Sequence, residues 1–268
     1  MNKIEDKIAE LVFMKNYPKQ LFYAGNLGLL KQKKISIIGS RKPTQYSKNL
    51  AHKLSLALGK SGVCIVSGGA MGIDAVSHLG AGSFNTISVL PCGIDIKYPA
   101  VNKNLLTEIE NNGLLLSQFD IGFCAAPWSF VVRNELVVAL GDVLVVAEAD
   151  EGSGSMRSIE FALKMGKEIY VFPQRVGESG ATNNLLKEGR AKAIYDIDEF
   201  VADFCKDIVS QVSSSSLPLT ALDVRDDFLE YCNTNPTYDE ALKKYPDKIF
   251  EADLSGLIVI KNARVYLL

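Results

Sequence analysis

The stretch KKISIIGSRKPTQYSKNLAHKL, residues 33–54, decides how the rest of the chain is read. Ile35-Ser36-Ile37-Ile38 is a short β-branched run that stops at Gly39, and Leu50, Leu54 and Leu58 then recur at helical spacing. A strand, a tight turn and a helix N-terminus in that order is where α/β proteins hold phosphates. The glycine fingerprint of a dinucleotide site is missing, because the single Gly39 is followed by Ser40, Arg41, Lys42 and Pro43. Gly39 permits the sharp exit from the strand, Ser40 and Thr44 offer hydroxyls, and Pro43 suits a first helical turn. Backbone N–H groups at the helix start favour an anion, and Arg41 adds a planar bidentate phosphate donor. The plain alternative is that Arg41 and Lys42 form a solvated loop.

Outward from this unit the same alternation repeats. Strands are expected at residues 35–38, 64–66, 86–90, 114–117, 143–146 and 169–172, with helices near 46–61, 72–82, 102–111, 130–140, 156–166 and 181–190. Continuous apolar strands alternating with helices predict an α/β fold with a mainly parallel sheet covered on both faces. Ligands in such sheets bind beyond the C-terminal strand ends, and those ends here are rich in Gly and Ser.

The chain has 268 residues, 47% of them apolar, and a formal net charge of −2. That charge argues against indiscriminate coating of nucleic acid but leaves room for a local basic groove. No apolar run approaches the roughly 20 residues that span a bilayer, and the N-terminus lacks a signal-peptide layout. A cytoplasmic protein without membrane association is therefore expected. Five cysteines (64, 92, 124, 205 and 232) are scattered without a C-x-x-C pair, and there are two histidines, so neither a disulfide framework nor a metal centre is expected.

Residues 1–32 read as a short N-terminal extension, a brief helix and a loop around YPKQLFYAGN. The α/β domain is placed at 33–212. A serine run before Leu217-Pro218 marks a linker at 213–219. Residues 220–268 carry three short helical patterns and a small hairpin, a winged-helix-like domain; a docking tail is the alternative.

Three more rim segments carry candidate chemistry. In VSGGAMGIDAVSH (66–78), Ser67-Gly68-Gly69 let a backbone approach closely, and Asp74 and His78 share a helix face at i, i+4. No nucleophile at recognisable spacing accompanies that pair, so a structural role is favoured over acid–base chemistry. In EADEGSGSMRSIEFA (148–162), Gly152-Ser153-Gly154-Ser155 can form a nest of N–H groups for phosphate. Glu148, Asp150 and Glu151 surround it, suited either to hold Mg²⁺ or simply to flank a loop. In PWSFVVRNELV (127–137), Trp128 and Phe130 sit near Arg133 and Asn134, the aromatic-plus-cation pairing that single-strand binding uses. Ser, Gly and Arg without a nucleophile or ligand set suggest binding rather than turnover.

Taken in order, IIGSRKPTQYS, IVSGGAMGIDAVSH, TISVLPCGIDIKYPAVN, LLLSQF, FVVRNELVVALGDVLVVAEADEGSGS and PQRVGESGATNNLLKEGRA resemble the bacterial DNA-processing protein A (DprA/Smf) family, over about residues 17–200. The resemblance implies an extended Rossmann-like fold for the core and a cofactor-free, non-enzymatic homodimer. It also implies that the protein binds single-stranded DNA, protects it during natural transformation and helps load the RecA recombinase. Carried over residue by residue, the implied DNA contacts are Gly39, Ser40, Arg41 and Lys42, Ser67 and Gly68, Phe130, Arg133 and Asn134, and Ser153, Gly154 and Ser155. The dimer interface falls near Leu185, Leu186 and Ile194. The chain departs from the family at Glu135, where a basic residue is common, and at Pro127-Trp128, where some relatives carry one; Trp128 offers a stacking face in its place. It also lacks the longer N-terminal helical region of many relatives.

The alternative of the same fold group is a nucleotide or N-glycosidic phosphoribohydrolase. Its Pro-Gly-Gly-x-Gly-Thr-x-x-Glu motif is out of register here, since Glu160 lies five residues after Ser155. A duplex-binding regulator is disfavoured by Asp223, Asp226, Asp227 and Glu230 in the tail, and by Glu251 and Asp253 on its third helix.

Overall fold

Alternation along the opening strand explains its unbroken apolar reading. The computed structural model describes residues 2–212, 227–232, 234–245, 248–249, 258–261 and 264–267. In it, Ile35 and Ile37 pack on one face of a sheet with Ala51, Leu54 and Leu58, and Ile38 packs on the other with Leu136 and Leu140. All of Lys34–Ile38 is buried. Burying each such Leu or Ile side chain contributes about 1.5–3 kcal/mol.

The strands are β1 (Asn2–Lys3), β2 (Phe22–Gly25), β3 (Lys34–Ile38), β4 (Cys64–Ser67), β5 (Thr86–Val89), β6 (Leu114–Ser117), β7 (Val143–Val146), β8 (Ile169–Val171) and β9 (Lys192–Ala193). They form one sheet in the order β1-β2-β6-β5-β4-β3-β7-β8-β9. From β6 to β9 all pairs are parallel, and β1 and β2 add an antiparallel edge. The helices are α1 (Gln45–Lys60), α2 (Ile73–Ala81), α3 (Lys103–Asn112), α4 (Pro127–Leu140), α5 (Gly154–Lys164), α6 (Gly180–Lys187) and α7 (Ile197–Val212). Side chains of α1, α2 and α7 cover one face of the sheet, and those of α4, α5 and α6 the other. Leu106 and Ile109 of α3 pack with Leu90 and Leu115 in a smaller cluster.

The six expected strands and six expected helices are all present, within a few residues of the positions read from the sequence. The structure adds β1, β2, β9 and α7 to that reading. Phe22–Gly25, read as loop, is a strand because it pairs with Leu114–Ser117 of β6, a tertiary partner that local turn signals do not reveal. Helix α7 was not anticipated; its Val201 and Cys205 are buried against the sheet.

The chain winds outward from β3 through β4 and β5 to β6, then returns to lay β7 on the opposite side of β3. The order therefore reverses between β3 and β7, the crevice where open α/β sheets take ligands. The turns after these two strands are the two Gly/Ser-rich segments singled out in the sequence.

Two compact units are present, residues 1–210 and 211–268. In the second, α8 (Asp227–Cys232) and α9 (Tyr238–Lys244) accompany an antiparallel hairpin, β10 (Ile258–Lys261) with β11 (Arg264–Leu267). Phe228, Cys232, Ala241, Ile249, Ile258 and Val265 form its core. A capping box between Thr237 and Glu240 starts α9. The expected linker at 213–219 lies outside the described residues, as does the third tail helix apart from Lys248 and Ile249.

Candidate nucleic-acid interface

Glycine is required at the end of β3 by packing. A Cβ on Gly39 would stand 2.7 Å from Ile73 Cγ1 and 3.0 Å from the Glu148 carbonyl oxygen. The turn that follows is fastened at both ends. Ser40 N donates to the Glu148 carbonyl at 2.9 Å, and Ile73 N donates to the Ser40 carbonyl at 3.1 Å. Lys42 N donates to Ser40 Oγ at 3.1 Å. The start of α1 is closed as well: Glu148 Oε2 accepts from Thr44 N at 2.9 Å and Thr44 Oγ1 at 2.8 Å, and Thr44 Oγ1 accepts from Ser47 N at 3.2 Å. One first-turn donor, Ser47 N, is thus taken by Thr44, and the Glu148 carboxylate holds the cap residue itself. What the turn presents outward is the exposed side chain of Arg41, with Lys42 beside it.

The turn after β7 differs. Ser153 caps α5 without a side-chain hydrogen bond, and its buried Oγ has no partner among the described residues. A Cβ on Gly154 would meet nothing within 4 Å. These residues, with Ser155 and Ser158, face Gly39, Ser40 and Arg41 across a cavity of about 380 Å³ that Asp74, Arg133 and Asn134 also line. A helix N-terminus aimed into such a space supplies N–H donors and a partial positive charge.

Arg133 forms the cavity's inner wall and is 3% exposed. Its Nη1 donates to the Val89 carbonyl at 3.2 Å and stands 3.9 Å from Asp74 Oδ2. Only glycine fits beneath it, since a Cβ on Gly68 would lie 1.4 Å from Nη1. Asp74 Oδ2 accepts from Gly68 N at 3.2 Å and Ala70 N at 3.3 Å. Burial pushes the Asp74 carboxyl above its ordinary range, against the pull of Arg133 and the backbone donors. Burial likewise lowers the Arg133 pKa, opposed by Asp74.

Arg41 lies over the Phe130 ring, 5.1 Å from its centroid, and Phe130 meets Tyr98 edge-on at 5.8 Å. A second depression of about 480 Å³, lined by Arg41, Lys42, Pro43, Lys48 and Gly72, adjoins on the other side. Arg41 lines both.

Gly39, Ser40, Arg41, Arg133, Asn134, Ser153, Gly154 and Ser155 thus converge on one cavity, with Phe130 and Lys42 at its margins. Ser67 does not reach the surface: it is fully buried and its Oγ donates to the Ile37 carbonyl at 2.6 Å. Gly68 is buried too and acts through its backbone. Asp74 and His78 share a helix face but take different partners. His78 Nδ1 is 2.6 Å from Thr86 Oγ1, and burial, reinforced by the Arg133 charge, lowers its pKa to about 3. The acidic residues flanking the nest are also engaged, Glu148 as described and Glu151 as acceptor from Asn184 Nδ2 at 2.5 Å. Of the expected dimer residues, Leu185 and Ile194 are buried in the protomer's own two cores and offer no surface to a second copy; Leu186 is half-buried. Sequence reading did not anticipate Glu148 as the closure of α1 or Ser158 in the cavity wall.

Against known proteins, the family model described as DNA recombination-mediator protein A matches residues 5–205. DNA processing protein A from Helicobacter pylori, whose structure concerns a single-stranded DNA binding mode, is 40% identical with a TM-score of 0.75, over 77% of this chain and 96% of that one. DNA processing protein DprA of Streptococcus pneumoniae is 35% identical over 191 residues, 70% of this chain and 67% of the relative. That of Bacillus subtilis is 33% identical over 187 residues, 68% of this chain and 63% of the relative. The matched span includes every strand of the parallel sheet and every residue of the cavity between β3 and β7, and on that ground the chain belongs to the DNA recombination-mediator protein A family.

Proposed function

We propose that the protein binds single-stranded DNA in the crevice between β3 and β7, with Arg41 as its main phosphate contact. The observation that carries this reading is the position of Arg41, an exposed guanidinium over the Phe130 ring that lines the depressions on both sides. A strand crossing from one depression to the other passes Arg41, and its phosphates meet the open N-terminus of α5. Phe130 gives a base a π-face, as sequence-tolerant single-strand binders do.

Binding without turnover fits the lining. Its one carboxylate, Asp74, is committed to two backbone N–H groups and lies beside Arg133. Glu160, the nearest counterpart of a hydrolase's glutamate, is half exposed and pairs with Arg157 at 2.9 Å.

The family description and the DNA-processing relatives support a role in handling incoming single strands during transformation. On this reading a cytoplasmic homodimer shields the strand and hands it to a RecA-class recombinase. Fluorescence anisotropy with single- and double-stranded oligonucleotides of equal length across a salt series tests the core of it. Tighter single-strand binding that weakens steeply with salt is expected; equal affinities or a flat series would refute it.

A further inference from the structure

Trp128 is the chain's single tryptophan and is 55% exposed. It is the second residue of α4, the helix that carries Phe130, Arg133 and Asn134 to the cavity. We propose that Trp128 is a second stacking platform, which takes a base of the same single strand a few nucleotides beyond the Arg41 cavity. This rests on the single-strand reading above.

The indole is held in place before any ligand arrives. Phe119 and Phe123 meet it edge-on, with centroids at 5.7 Å and 5.4 Å and interplanar angles of 71° and 60°. Those two rings stack on each other at 4.8 Å. Their loop is fixed in turn, since Gly93 N donates to the Phe123 carbonyl at 2.9 Å and Phe119 N to Ser117 Oγ at 3.1 Å. A side chain braced in this way loses little freedom when a base lands on it.

The path from the cavity is continuous. At 100° per residue, Pro127 and Val131 fall between Asn134 and Trp128 around α4, and both are exposed. A strand leaving the cavity past Asn134 rounds one helix, about 10–12 Å across, to reach the indole.

The surroundings suit a base rather than a phosphate. Glu135 lies on the Trp128 side of α4, accepting from Lys15 N at 2.9 Å, and Asp120 sits on the loop that holds the two phenylalanines. Carboxylates there repel phosphate oxygens, whereas stacking uses the ring face and is indifferent to salt.

The test reads two signals from one titration of the full chain with end-labelled oligo(dT). Label anisotropy reports binding, and Trp128 emission reports stacking. Quenching that saturates together with the anisotropy is expected for oligonucleotides long enough to leave the cavity. Trp128→Ala should weaken binding about 5- to 150-fold, by the usual worth of a base–aromatic stack, without changing the slope of log K against log salt. Trp128→Phe should recover much of the loss. Saturated anisotropy with unchanged emission, or unchanged affinity in a folded Trp128→Ala protein, overturns the platform and leaves the Arg41 site standing. No anisotropy change at all overturns both. Emission that shifts with protein concentration in the absence of DNA would mean that a second copy covers the indole, which also overturns it.

Discussion

The turns after β3 and β7 are built alike and end differently. Each follows a buried strand, each carries small residues, and each opens a helix at the strand-order reversal. At the first, Thr44 Oγ1 caps α1 by accepting from Ser47 N, and Glu148 holds the Thr44 N–H and hydroxyl. At the second, Ser153 makes no side-chain cap and Gly154 leaves the entrance open. A helix N-terminus is an anion site only while its donors are free. The closed turn therefore contributes a side chain, Arg41, and the open turn contributes its backbone.

Closing the open turn should have the largest effect. Ser153→Asp gives α5 a carboxylate cap where the serine hydroxyl makes none. The fold should hold or gain about 0.3–1 kcal/mol in denaturant melts, while single-strand affinity falls by about 2–3 kcal/mol, since donors are consumed and a like charge faces the phosphate. Undiminished binding would show that the α5 entrance holds no phosphate.

Arg41→Ala removes what the closed turn contributes. About 1.5–3 kcal/mol of affinity should go, with the far-UV spectrum and melting temperature unchanged and a shallower salt dependence.

Opening the closed turn tests the reverse. Glu148→Ala leaves the Thr44 donors without their acceptor, and chemical denaturation should report about 1–3 kcal/mol of lost stability with affinity nearly intact. A gain in affinity would mean that α1 can also seat a phosphate once vacated, and that the two turns are equivalent.

Acid separates loss of fold from loss of site. His78 is held near pKa 3 in the folded state against an ordinary 6.5, so the unfolded chain takes up its proton first. Stability contributed by neutral His78 is complete above pH 6.5 and drains away as pH falls toward 3. Between pH 7.5 and 5.5 about 1.4 kcal/mol should be lost. His78→Gln should flatten that part of the pH profile, and a variant whose profile is unaltered would contradict it.

The smallest effect belongs to the second unit. Its acidic tail segment disfavours phosphate, so a chain ending near residue 213 should keep single-strand affinity within about threefold.

Periodicity made the parallel sheet legible, because strands buried on both faces announce themselves as apolar runs. It could not reveal β2, whose four residues become a strand only through pairing with β6. The cavity was legible to the extent that its residues lie at strand ends: Arg41, Arg133 and Ser153–Ser155 were each singled out from local sequence. Their states were not legible. Whether Ser67 faces a ligand or the Ile37 carbonyl depends on a neighbouring strand, and whether Leu185 meets a partner or its own core depends on the packing of α6. Glu148 reads as one acid among three, and only its position opposite Thr44, more than a hundred residues away in the chain, makes it the acceptor that holds the α1 cap residue.

The approach of Arg133 to Gly68 carries an evolutionary consequence. The guanidinium fills the volume that any side chain at position 68 would claim, at 1.4 Å from a virtual Cβ. The two positions therefore cannot drift independently. Alanine at 68 expels the guanidinium toward the cavity, and a shorter residue at 133 leaves Asp74 buried without its counter-charge. In the pair changed together the clash at 68 is relieved while Asp74 still lacks its counter-charge, so the two losses overlap, and a double-substitution cycle across 68 and 133 would expose them as less than additive. Lineages that gain a side chain at 68 are expected to carry a shorter residue at 133.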